Sequence, residues 1–191
     1  VDVGGDLNHE STTMATNVDL SHFQRSETTL GRKALFHVKG EDGQLQLLSN
    51  NLNAKGADII NDGNGSTLIQ TQNNMNLTAL SVGFDEKMGK GNHYRHEKVE
   101  EAVVSQVKGK GNVLLTGKNI LSEGAQLDSE AKSMAIAEND LVLNGAKESR
   151  DFEEFHKTKS GSVAKVTKTS LDQQQSVTQV GTQVSGKDVV L

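Results

Sequence analysis

The sequence contains no cysteine, no proline and no tryptophan, and aromatic residues occupy only 3% of its 191 positions. The absence of cysteine excludes a disulfide framework and a thiolate metal site, and it leaves the redox compartment undetermined. Without proline, folding has no slow prolyl isomerisation step. Apolar residues make up 34% and the mean hydropathy is −0.52, so a large globular core would have few bulky side chains to fill it. Low hydrophobicity is also a mark of disorder, which stays open as an alternative at this point.

Charge and hydropathy narrow the classes of partner. The net charge of −5 gives no reason to expect nucleic acid, which is usually bound by a basic face. No apolar run approaches the roughly 20 residues of a membrane helix, and no signal segment is present. The sequence begins at Val1 rather than methionine and stops in an apolar run, Val189–Leu191. We therefore expect it to be a piece of a longer protein.

Two stretches of the chain repeat each other, 68 residues apart. Residues 43–59 align without a gap on residues 111–127, and after a two-residue shift residues 73–77 match residues 139–143. Nineteen glycines, with many Asn, Ser and Thr residues, supply turns between the repeated segments. Internal repetition indicates a stack of similar units rather than a globule around one site.

Apolar residues alternate with polar or outward ones over stretches that are too short for helices. This period of two indicates β-strands, and apolar residues do not recur at helical spacing across the Gly- and Asn-rich interruptions. The alternating pairs are Leu45 and Leu47, Met75 and Leu77, Val113 and Leu115, Met134 and Ile136, and Leu141 and Leu143.

The residues predicted to point inward advance by about seven positions at a time. They are Leu45, Leu52, Ile59, Leu68 and Met75 in the first copy, and Val113, Ile120, Leu127, Met134 and Leu141 in the second. Corresponding positions return after 21–23 residues, which fits a three-sided coil with one short strand on each side. Stacked coils pair parallel strands. The spacing therefore predicts an all-β, right-handed parallel β-helix (a solenoid) as a single repeat fragment over residues 1–191.

Three segments lack the seven-residue step and are predicted to leave the solenoid as β-hairpin excursions, at about 21–42, 78–110 and 144–186. They hold five of the six histidines and all six aromatic residues, which are Phe23, Phe36, Phe84, Tyr94, Phe152 and Phe155. Phe23 and Phe36 are predicted to face each other around a turn near residue 30. Since an isolated hairpin is marginal in water, we expect the excursions to lean on the solenoid or on one another. A helix over residues 97–104 is a rival interpretation on propensity.

The repeated residues resemble the haemagglutinin repeats of two-partner-secreted exoproteins, and in particular their second repeat class, whose units include charged insertions. The group contains filamentous haemagglutinin and the contact-dependent growth inhibition toxins of Gram-negative bacteria. The pattern is a short strand (residues 49–52 and 117–120), a Gly-Ala step (residues 56–57 and 124–125), and then Asn-Asp-Leu-x-Leu and a charged excursion. The likeness extends over most of residues 1–191. Residues 1–20 are a degraded match, with Asn17–Leu20 as the best part.

The resemblance implies a secreted rod on the surface of a Gram-negative cell, exported by an outer-membrane two-partner transporter. In growth inhibition exoproteins such a rod presents or helps deliver a C-terminal toxin to a neighbouring cell, so the other implied partner is the target-cell envelope or a surface receptor. In filamentous haemagglutinin the rod supports adhesion. Self-association, and the toxin or receptor of the parent protein, stay undetermined.

No catalytic, cofactor-binding or metal-binding residues are predicted, and no cofactor is expected. His93, His96 and Glu97 form the only cluster that resembles a metal site, but histidines three apart converge on one ion only in a helix. We interpret them as solvated hairpin side chains. His156, next to Glu153 and Glu154, receives the same interpretation.

Other motifs are weak. Glycan cleavage would need carboxylates clustered on one face, and the candidates are Asp58, Asp62, Asp128 and Glu130. The second copy replaces Asp58 by Gln126, which suggests interchangeable surface residues.

Residues 61–65 outline a calcium loop without its spaced acids, and we interpret them as a solenoid corner. Gly-Lys-Gly at 89–91 and 109–111 is half of a phosphate loop and is interpreted as a hairpin base.

Three functional hypotheses follow. The first is a non-enzymatic structural and delivery segment of a growth inhibition exoprotein. The second is a haemagglutinin-type adhesin that binds surface glycan or protein, with the aromatic excursions as its contact surface. The third and least favoured is a carbohydrate-active β-helix enzyme.

Overall fold

The computed structural model describes residues 1–191, and the chain consists of nineteen β-strands without any helix. Accordingly, no helical segment with the length and apolarity to cross a membrane is found. The strands form an eight-stranded parallel sheet, a five-stranded parallel sheet and a six-stranded antiparallel sheet. The prediction of an all-β chain with parallel sheets is confirmed.

The strands are numbered in chain order. The eight-stranded sheet, called the long parallel sheet, contains β1 (Leu7–Glu10), β5 (Leu45–Ser49), β6 (Leu52–Lys55), β8 (Thr67–Thr71), β9 (Asn74–Thr78), β13 (Val113–Glu123), β15 (Lys132–Asn144) and β19 (Asp188–Val190). The five-stranded sheet, called the short parallel sheet, contains β4 (Leu35–Val38), β7 (Asp58–Asn61), β12 (Gln106–Gly109), β14 (Gln126–Ser129) and β18 (Gln183–Ser185). The antiparallel sheet, called the hairpin sheet, contains β2 (Thr13–Leu20), β3 (Phe23–Leu30), β10 (Leu80–Lys90), β11 (His93–Val103), β16 (Ala146–Ser160) and β17 (Val166–Val180).

The two sequence copies lie on top of each other in the long parallel sheet. Leu52 pairs with Met75, Met75 with Ile120, and Ile120 with Leu141, so one row of apolar side chains runs across four strands. A second row crosses the short parallel sheet, and its members are Phe36, Ile59, Val107, Leu127 and Val184. Side chains from both parallel sheets meet in one core cluster of 16 buried residues.

At two places the residue that faces the core is the one before the residue predicted to point inward. Leu45 pairs with Thr67 rather than Leu68, and Val113 pairs with Ser133 rather than Met134. Thr67 and Ser133 are completely buried, whereas Leu68 and Met134 are only half-buried. Ile136 and Leu143, the second members of two alternating apolar pairs, are exposed. A hydroxyl residue thus fills the inward position because the parallel register, not side-chain hydropathy alone, fixes which residue faces the core.

The Gly-Ala step has a clear structural role in both copies. Gly56 and Gly124 adopt positive φ angles of 56° and 69°, and the alanine that follows each is fully buried. A Cβ on Gly56 would stand 2.8 Å from the Leu80 Cβ, and one on Gly124 would stand 2.8 Å from the Ala146 Cβ. Leu80 and Ala146 begin the second and third hairpins, so each glycine makes room for the base of a hairpin.

The three excursions are antiparallel hairpins, and they join one another. Their ranges are 13–30, 80–103 and 146–180, so the first begins well before the predicted residue 21. β3 pairs with β10 and β11 pairs with β16, which produces the strand order β17-β16-β11-β10-β3-β2. The expectation that hairpins lean on one another is confirmed.

Several details of the excursions differ from expectation. The predicted Phe23–Phe36 pair does not form, because Phe23 pairs with Leu20 across a turn at residues 21–22 and Phe36 belongs to the short parallel sheet. Residues 97–103 are strand rather than helix. Asn17–Leu20 belongs to a hairpin, and the repeat-like pairing near the beginning of the chain is instead made by β1, where Leu7 pairs with Leu52.

Candidate interaction surface of the hairpin sheet

The hairpin sheet has two faces with different chemistry. Directly opposite residues of antiparallel strands share a face, and successive residues alternate. One row runs from Arg25 through Glu86 and Glu97 to Phe152, and it belongs to what we call the arginine face. The next row contains Lys87, His96 and Glu153 on what we call the tyrosine face, which also carries Tyr94.

Glu97 is at the centre of the arginine face and is 6% exposed. Its Oε2 accepts a hydrogen bond from Arg95 at 2.6 Å, and its Oε1 accepts hydrogen bonds from Nε and Nη2 of Arg150. Desolvation by burial raises the pKa of Glu97, but the hydrogen bonds from Arg95 and Arg150 outweigh it, so the pKa lies below its usual value. Glu97 is therefore an ionised structural residue that accepts three hydrogen bonds, and the prediction that it is a solvated hairpin side chain is wrong, because two arginines stabilise its carboxylate in a buried position.

A second charged group, formed by Arg25 and two glutamates, lies beside Glu97 on the arginine face. Arg25 donates to Glu86 at 2.6 Å and to Glu27 at 3.0 Å, and its guanidinium lies 4.4 Å from the centroid of the Phe84 ring. Hydrogen bonds to the two carboxylates raise the pKa of Arg25. Arg95 is similarly placed 5.2 Å from the centroid of Phe152. Arg25 and Arg95 thus each lie over a phenylalanine ring of this face and donate hydrogen bonds to its glutamates.

The tyrosine face is built around a hydroxyl–carboxylate bond. Tyr94 Oη donates to Glu153 Oε1 at 2.5 Å, and Gln173 donates to Glu153 Oε2 at 2.6 Å. These hydrogen bonds lower the pKa of Glu153, and the same bond to Glu153 raises the pKa of Tyr94. The rings of Tyr94 and Phe155 stack with centroids 5.4 Å apart.

The histidines predicted as a loose cluster are separated. Because residues 93–96 form a strand, His93 and His96 lie on opposite faces of the sheet. His96 contacts Asp85 Oδ1 at 2.8 Å, while His93 Nδ1 lies 3.1 Å from His156 Nδ1. His156 Nε2 in turn contacts Glu154 at 3.0 Å. No group of three or more histidine, aspartate or glutamate side chains is arranged to hold a metal ion.

The carboxylates considered for glycan cleavage have separate partners. Asp58 forms an ion pair with Lys33 at 2.7 Å, and Asp62 Oδ2 lies 2.6 Å from His37 Nε2. The contact with His37 lowers the pKa of Asp62. Asp128 accepts a hydrogen bond from Ser185 at 2.6 Å. Glu130 lies exposed after β14. Each of the three aspartates is therefore held by a different partner residue.

Two glycine-containing motifs serve as turns. The amide of buried Asn61 donates to the backbone oxygens of Gly43 and Gly65, and its Oδ1 accepts from the Gly63 amide at 3.0 Å. This bonding agrees with a corner rather than a calcium loop. Gly89–Gly91 forms the tip of the second hairpin, not its base, and Gly109–Gly111 connects the two parallel sheets.

A cleft of about 690 Å³ lies between the turns of the first and second hairpins. Its lining is mainly polar, and its apolar members are Leu20, Phe23 and Tyr94. The sequence did not indicate this cleft, because it forms only when two hairpins separated by about fifty residues lie side by side.

Comparison of the chain with known proteins found no matching protein-family model, no matching curated protein and no matching solved structure.

Proposed function

We propose that the chain is a segment of a right-handed parallel β-helix that works as a stiff, non-enzymatic rod. The observation that carries the proposal is the in-register stacking of the two sequence copies, in which Leu52, Met75, Ile120 and Leu141 follow one another across four parallel strands. A stack of this kind gains its stability from contacts between neighbouring units, so it extends along one axis.

Ladders of identical polar residues support the same architecture. Asn53 Nδ2 donates to Asn8 Oδ1 at 2.8 Å, and Asn76 Nδ2 donates to Asn53 Oδ1 at 2.9 Å. Asn119 donates in the same way to Asn74 at 2.8 Å. Repeated side-chain bonding along the stacking direction holds adjacent strands in register, which favours a rigid rod over a chain of loosely joined units.

The proposed biological role is that of a structural and delivery segment in a large secreted exoprotein of the two-partner, contact-dependent growth inhibition type. The rod would be displayed at the surface of a Gram-negative cell after export by an outer-membrane transporter, and it would present or help deliver a toxin to a neighbouring cell envelope. The absence of cysteine and proline agrees with passage of an unfolded chain, because neither disulfides nor prolyl isomerisation would delay folding outside the cell.

A haemagglutinin-type adhesin is the second candidate. It is favoured by the stacked pair Tyr94 and Phe155 next to polar Gln173 and Glu153, since aromatic rings with polar neighbours are common at binding surfaces. A carbohydrate-active enzyme is less favoured, because Asp58, Asp62 and Asp128 are each held by a separate partner.

The proposal is tested in the organism that makes the protein by shortening the third hairpin. Residues 149–177 are replaced by a two-residue Asn-Gly turn. This change retains the three cross-strand residue pairs at the base of the hairpin, from Ala146–Val180 to Glu148–Thr178. Surface labelling with antibody against the chain, attachment to target cells and growth of a co-cultured competitor are then measured.

The expected result is a surface-exposed protein whose shortened form still attaches to target cells but no longer inhibits them. A chain confined to the cell interior would overturn the proposal. Loss of attachment on shortening, with no inhibition of the competitor by the full-length protein either, would support the adhesin instead. Release of reducing sugar from envelope polysaccharide by the purified chain would support the enzyme.

A further inference from the structure

His93 and His156 form the one contact between two histidines in the structure. Nδ1 of His93 lies 3.1 Å from Nδ1 of His156, and the ring centroids are 5.4 Å apart. His37 and His96 instead contact carboxylates. Two imidazole nitrogens are therefore brought together at this place in the chain and at no other.

The backbone pairing of β11 with β16 produces this contact. His93 is directly opposite His156 in the register of the two strands. The backbone amide of Lys157 donates to the Asn92 oxygen at 2.7 Å, so Asn92 and Lys157 form a hydrogen-bonded pair. Because the two kinds of antiparallel pair alternate, His93 and His156 form a non-hydrogen-bonded pair, in which the opposite side chains lie closer together.

The contact lies inside the hairpin sheet rather than at one of its edges. β11 is bonded to β10 and β16, and β16 is bonded to β11 and β17. All the strands that border the contact therefore belong to this chain. His93 comes from the second hairpin and His156 from the third, so the two rings meet only when these hairpins lie side by side.

Glu154 determines which nitrogen of His156 carries the proton. Nε2 of His156 contacts Glu154 Oε1 at 3.0 Å. A carboxylate accepts hydrogen bonds, so Nε2 is the donor, and Nδ1 of the neutral ring has a free lone pair. A carboxylate bonded to the second nitrogen is the usual partner of a metal-bound histidine, because it orients the ring and raises the basicity of the nitrogen that binds the metal. His156 is thus held in the form that binds a metal ion through Nδ1.

The distance between the two Nδ1 atoms suits one shared ion. Zinc–nitrogen bonds are about 2.0–2.1 Å long, so an ion bonded to two nitrogens 3.1 Å apart has an N–Zn–N angle of about 98°. This angle lies between the right angle of square-planar or octahedral coordination and the wider angle of tetrahedral coordination. Binding requires that the proton of His93 moves from Nδ1 to Nε2 through solvent, which leaves the charge of the ring unchanged.

Nearby carboxylates favour a cation at this position. Glu154 lies directly opposite Asp172 on β17, so two carboxylates share the row next to the histidine pair. Like charges in directly opposite positions are destabilising. His156 is the one ion-pair partner that the structure gives to either carboxylate. A cation bound by the two histidines would reduce the repulsion between these acids.

The positive side chains of the same two rows leave the site accessible. Lys90 is opposite His93, and Arg95 is opposite Glu154. Arg95 donates to Glu97 at 2.6 Å, so its charge is already paired. Lys90 is exposed, and its long side chain can keep the ammonium group in solvent. Since His93 and His156 are both exposed, an ion can enter and water can complete its coordination.

We propose that His93 and His156 form a binding site for a divalent transition-metal ion such as Zn²⁺, with Glu154 as the positioning residue behind His156. The two Nδ1 atoms supply two ligands and water supplies the others, in agreement with the absence of a larger cluster of histidine and acidic side chains. Imidazole nitrogens select zinc, copper or nickel, whereas magnesium and calcium prefer oxygen ligands. The bound ion joins the second hairpin to the third. The inference holds whether or not the rod delivers a toxin.

Calorimetric titration of the tag-free chain with zinc chloride tests the proposal. We expect one zinc ion per chain and no binding of Mg²⁺ or Ca²⁺ under the same conditions. Nitrogen-15 spectra of the unchanged protein should show zinc-dependent shifts at Nδ1 of His93 and His156. Zinc should also raise the Tm of the unchanged protein, because it binds only when the two hairpins are paired.

His93→Gln and His156→Gln should each raise the Kd for zinc by about tenfold or more, because the remaining nitrogen no longer has an intramolecular partner. His96→Gln is the matched control. His96 lies on the same strand as His93 but on the opposite face, and its side chain is 40% exposed, compared with 51% for His156. Its replacement should leave the Kd unchanged. Glu154→Gln should raise the Kd by about tenfold with one zinc ion still bound, as expected for a partner behind the ligand.

Circular dichroism of each variant establishes that the fold is retained, and the nitrogen-15 spectra locate the ion without any variant. Absence of binding at millimolar zinc, or zinc-dependent shifts at other histidines only, would overturn the proposal. Equal affinity of His93→Gln, His156→Gln and the unchanged protein would overturn it as well. An unaltered Kd for Glu154→Gln would contradict the positioning role of Glu154.

Discussion

Glu86 on β10 lies directly opposite Glu97 on β11, so two carboxylates occupy one cross-strand pair on the arginine face. Like charges in this position are destabilising by themselves. Here Arg25 contacts Glu86 at 2.6 Å from one side, and Arg95 and Arg150 contact Glu97 from the other. The three arginines come from three different hairpins, so this pair of glutamates ties the whole hairpin sheet together.

Replacement of Glu97 by alanine is therefore expected to destabilise the protein by about 1–3 kcal/mol, less than for a fully buried ion pair because Arg95 and Arg150 are largely exposed. The change leaves two arginines next to each other without their shared acceptor. Urea titration measures the free energy of unfolding. Glu101→Ala, an exposed carboxylate on the same strand, is the control and should change stability by less than about 0.5 kcal/mol. Equal effects of the two variants would show that the Glu97 network is not structural.

Replacing the glycine of the Gly-Ala step by alanine tests the backbone geometry at the base of a hairpin. Gly124→Ala should cost at least about 1 kcal/mol, because alanine resists the positive φ angle and its Cβ would crowd Ala146 at 2.8 Å. Gly56→Ala should behave in the same way, since it stands at the equivalent position. Gly40→Ala is the control, because a Cβ at this position would have no heavy atom within 4 Å and the φ angle of Gly40 is not positive. A tolerated Gly124→Ala variant would contradict the hairpin-base geometry.

Thr67 and Ser133 occupy equivalent buried positions on either side of Val113, yet they should respond oppositely to loss of the hydroxyl. The Thr67 hydroxyl has no hydrogen-bond partner, whereas the Ser133 hydroxyl donates to the Ser185 backbone oxygen at 2.5 Å. Thr67→Val is expected to raise the free energy of unfolding by about 1 kcal/mol, and Ser133→Ala is expected to lower it by a similar amount. Thermal and urea unfolding of the two variants measure this, and a destabilised Thr67→Val variant would contradict the assignment.

The buried imidazole of His9 makes stability depend on pH. His9 stacks on Phe36 with centroids 4.2 Å apart and contacts the Asp58 backbone oxygen at 3.2 Å. Burial lowers the pKa of His9, and the contact with Asp58 offsets only part of this effect. In the window between this lowered value and the unfolded value of about 6.5, the unfolded chain binds more protons. The free energy of unfolding should therefore fall as pH decreases below about 6.5 toward the lowered pKa of His9.

His9→Phe retains a ring against Phe36 and removes the titrating group, so its stability should depend less on pH in this window. The glutamates with lowered pKa values, Glu97, Glu100 and Glu153, lose their stabilising contribution only at lower pH, below about 4.3. They do not obscure the comparison. His22→Gln, which changes an exposed histidine at a hairpin turn, serves as the control. A pH slope for His9→Phe equal to that of the unchanged protein would reject the role of His9.

The repeated spacing in the sequence is sufficient to predict most of the parallel core. Leu52, Met75, Ile120 and Leu141 are predicted correctly as one row, because each is a large apolar residue at the same place in its repeat. For two further positions the spacing selects Leu68 and Met134, each of which lies one residue after the residue that faces the core. Their neighbours Thr67 and Ser133 face the core although they are polar, and hydropathy alone selects the larger apolar residue.

The hairpin sheet is less predictable for two physical reasons. Every residue of β2 is exposed, so no buried row of side chains marks it, and the sequence pattern places the first hairpin too late in the chain. The contacts between hairpins also join residues far apart along the chain, such as Arg25 with Glu86 and His93 with His156. The local signals present are Arg25 with Glu27 and Arg95 with Glu97, which lie two residues apart on one face of a strand.

Residue-resolved native-state amide hydrogen exchange tests whether the three hairpins form one continuous sheet on a parallel stack. In dilute protein, the inner strands β3, β10, β11 and β16 should have protected amides along both sides, comparable to those of β6 and β9, because each has a bonded neighbour on either side. β2 and β17 should exchange rapidly at every second amide, where the backbone faces solvent. Rapid exchange at the amides that join β3 to β10 and β11 to β16, with β6 and β9 still protected, would show instead that the hairpins are independent of one another.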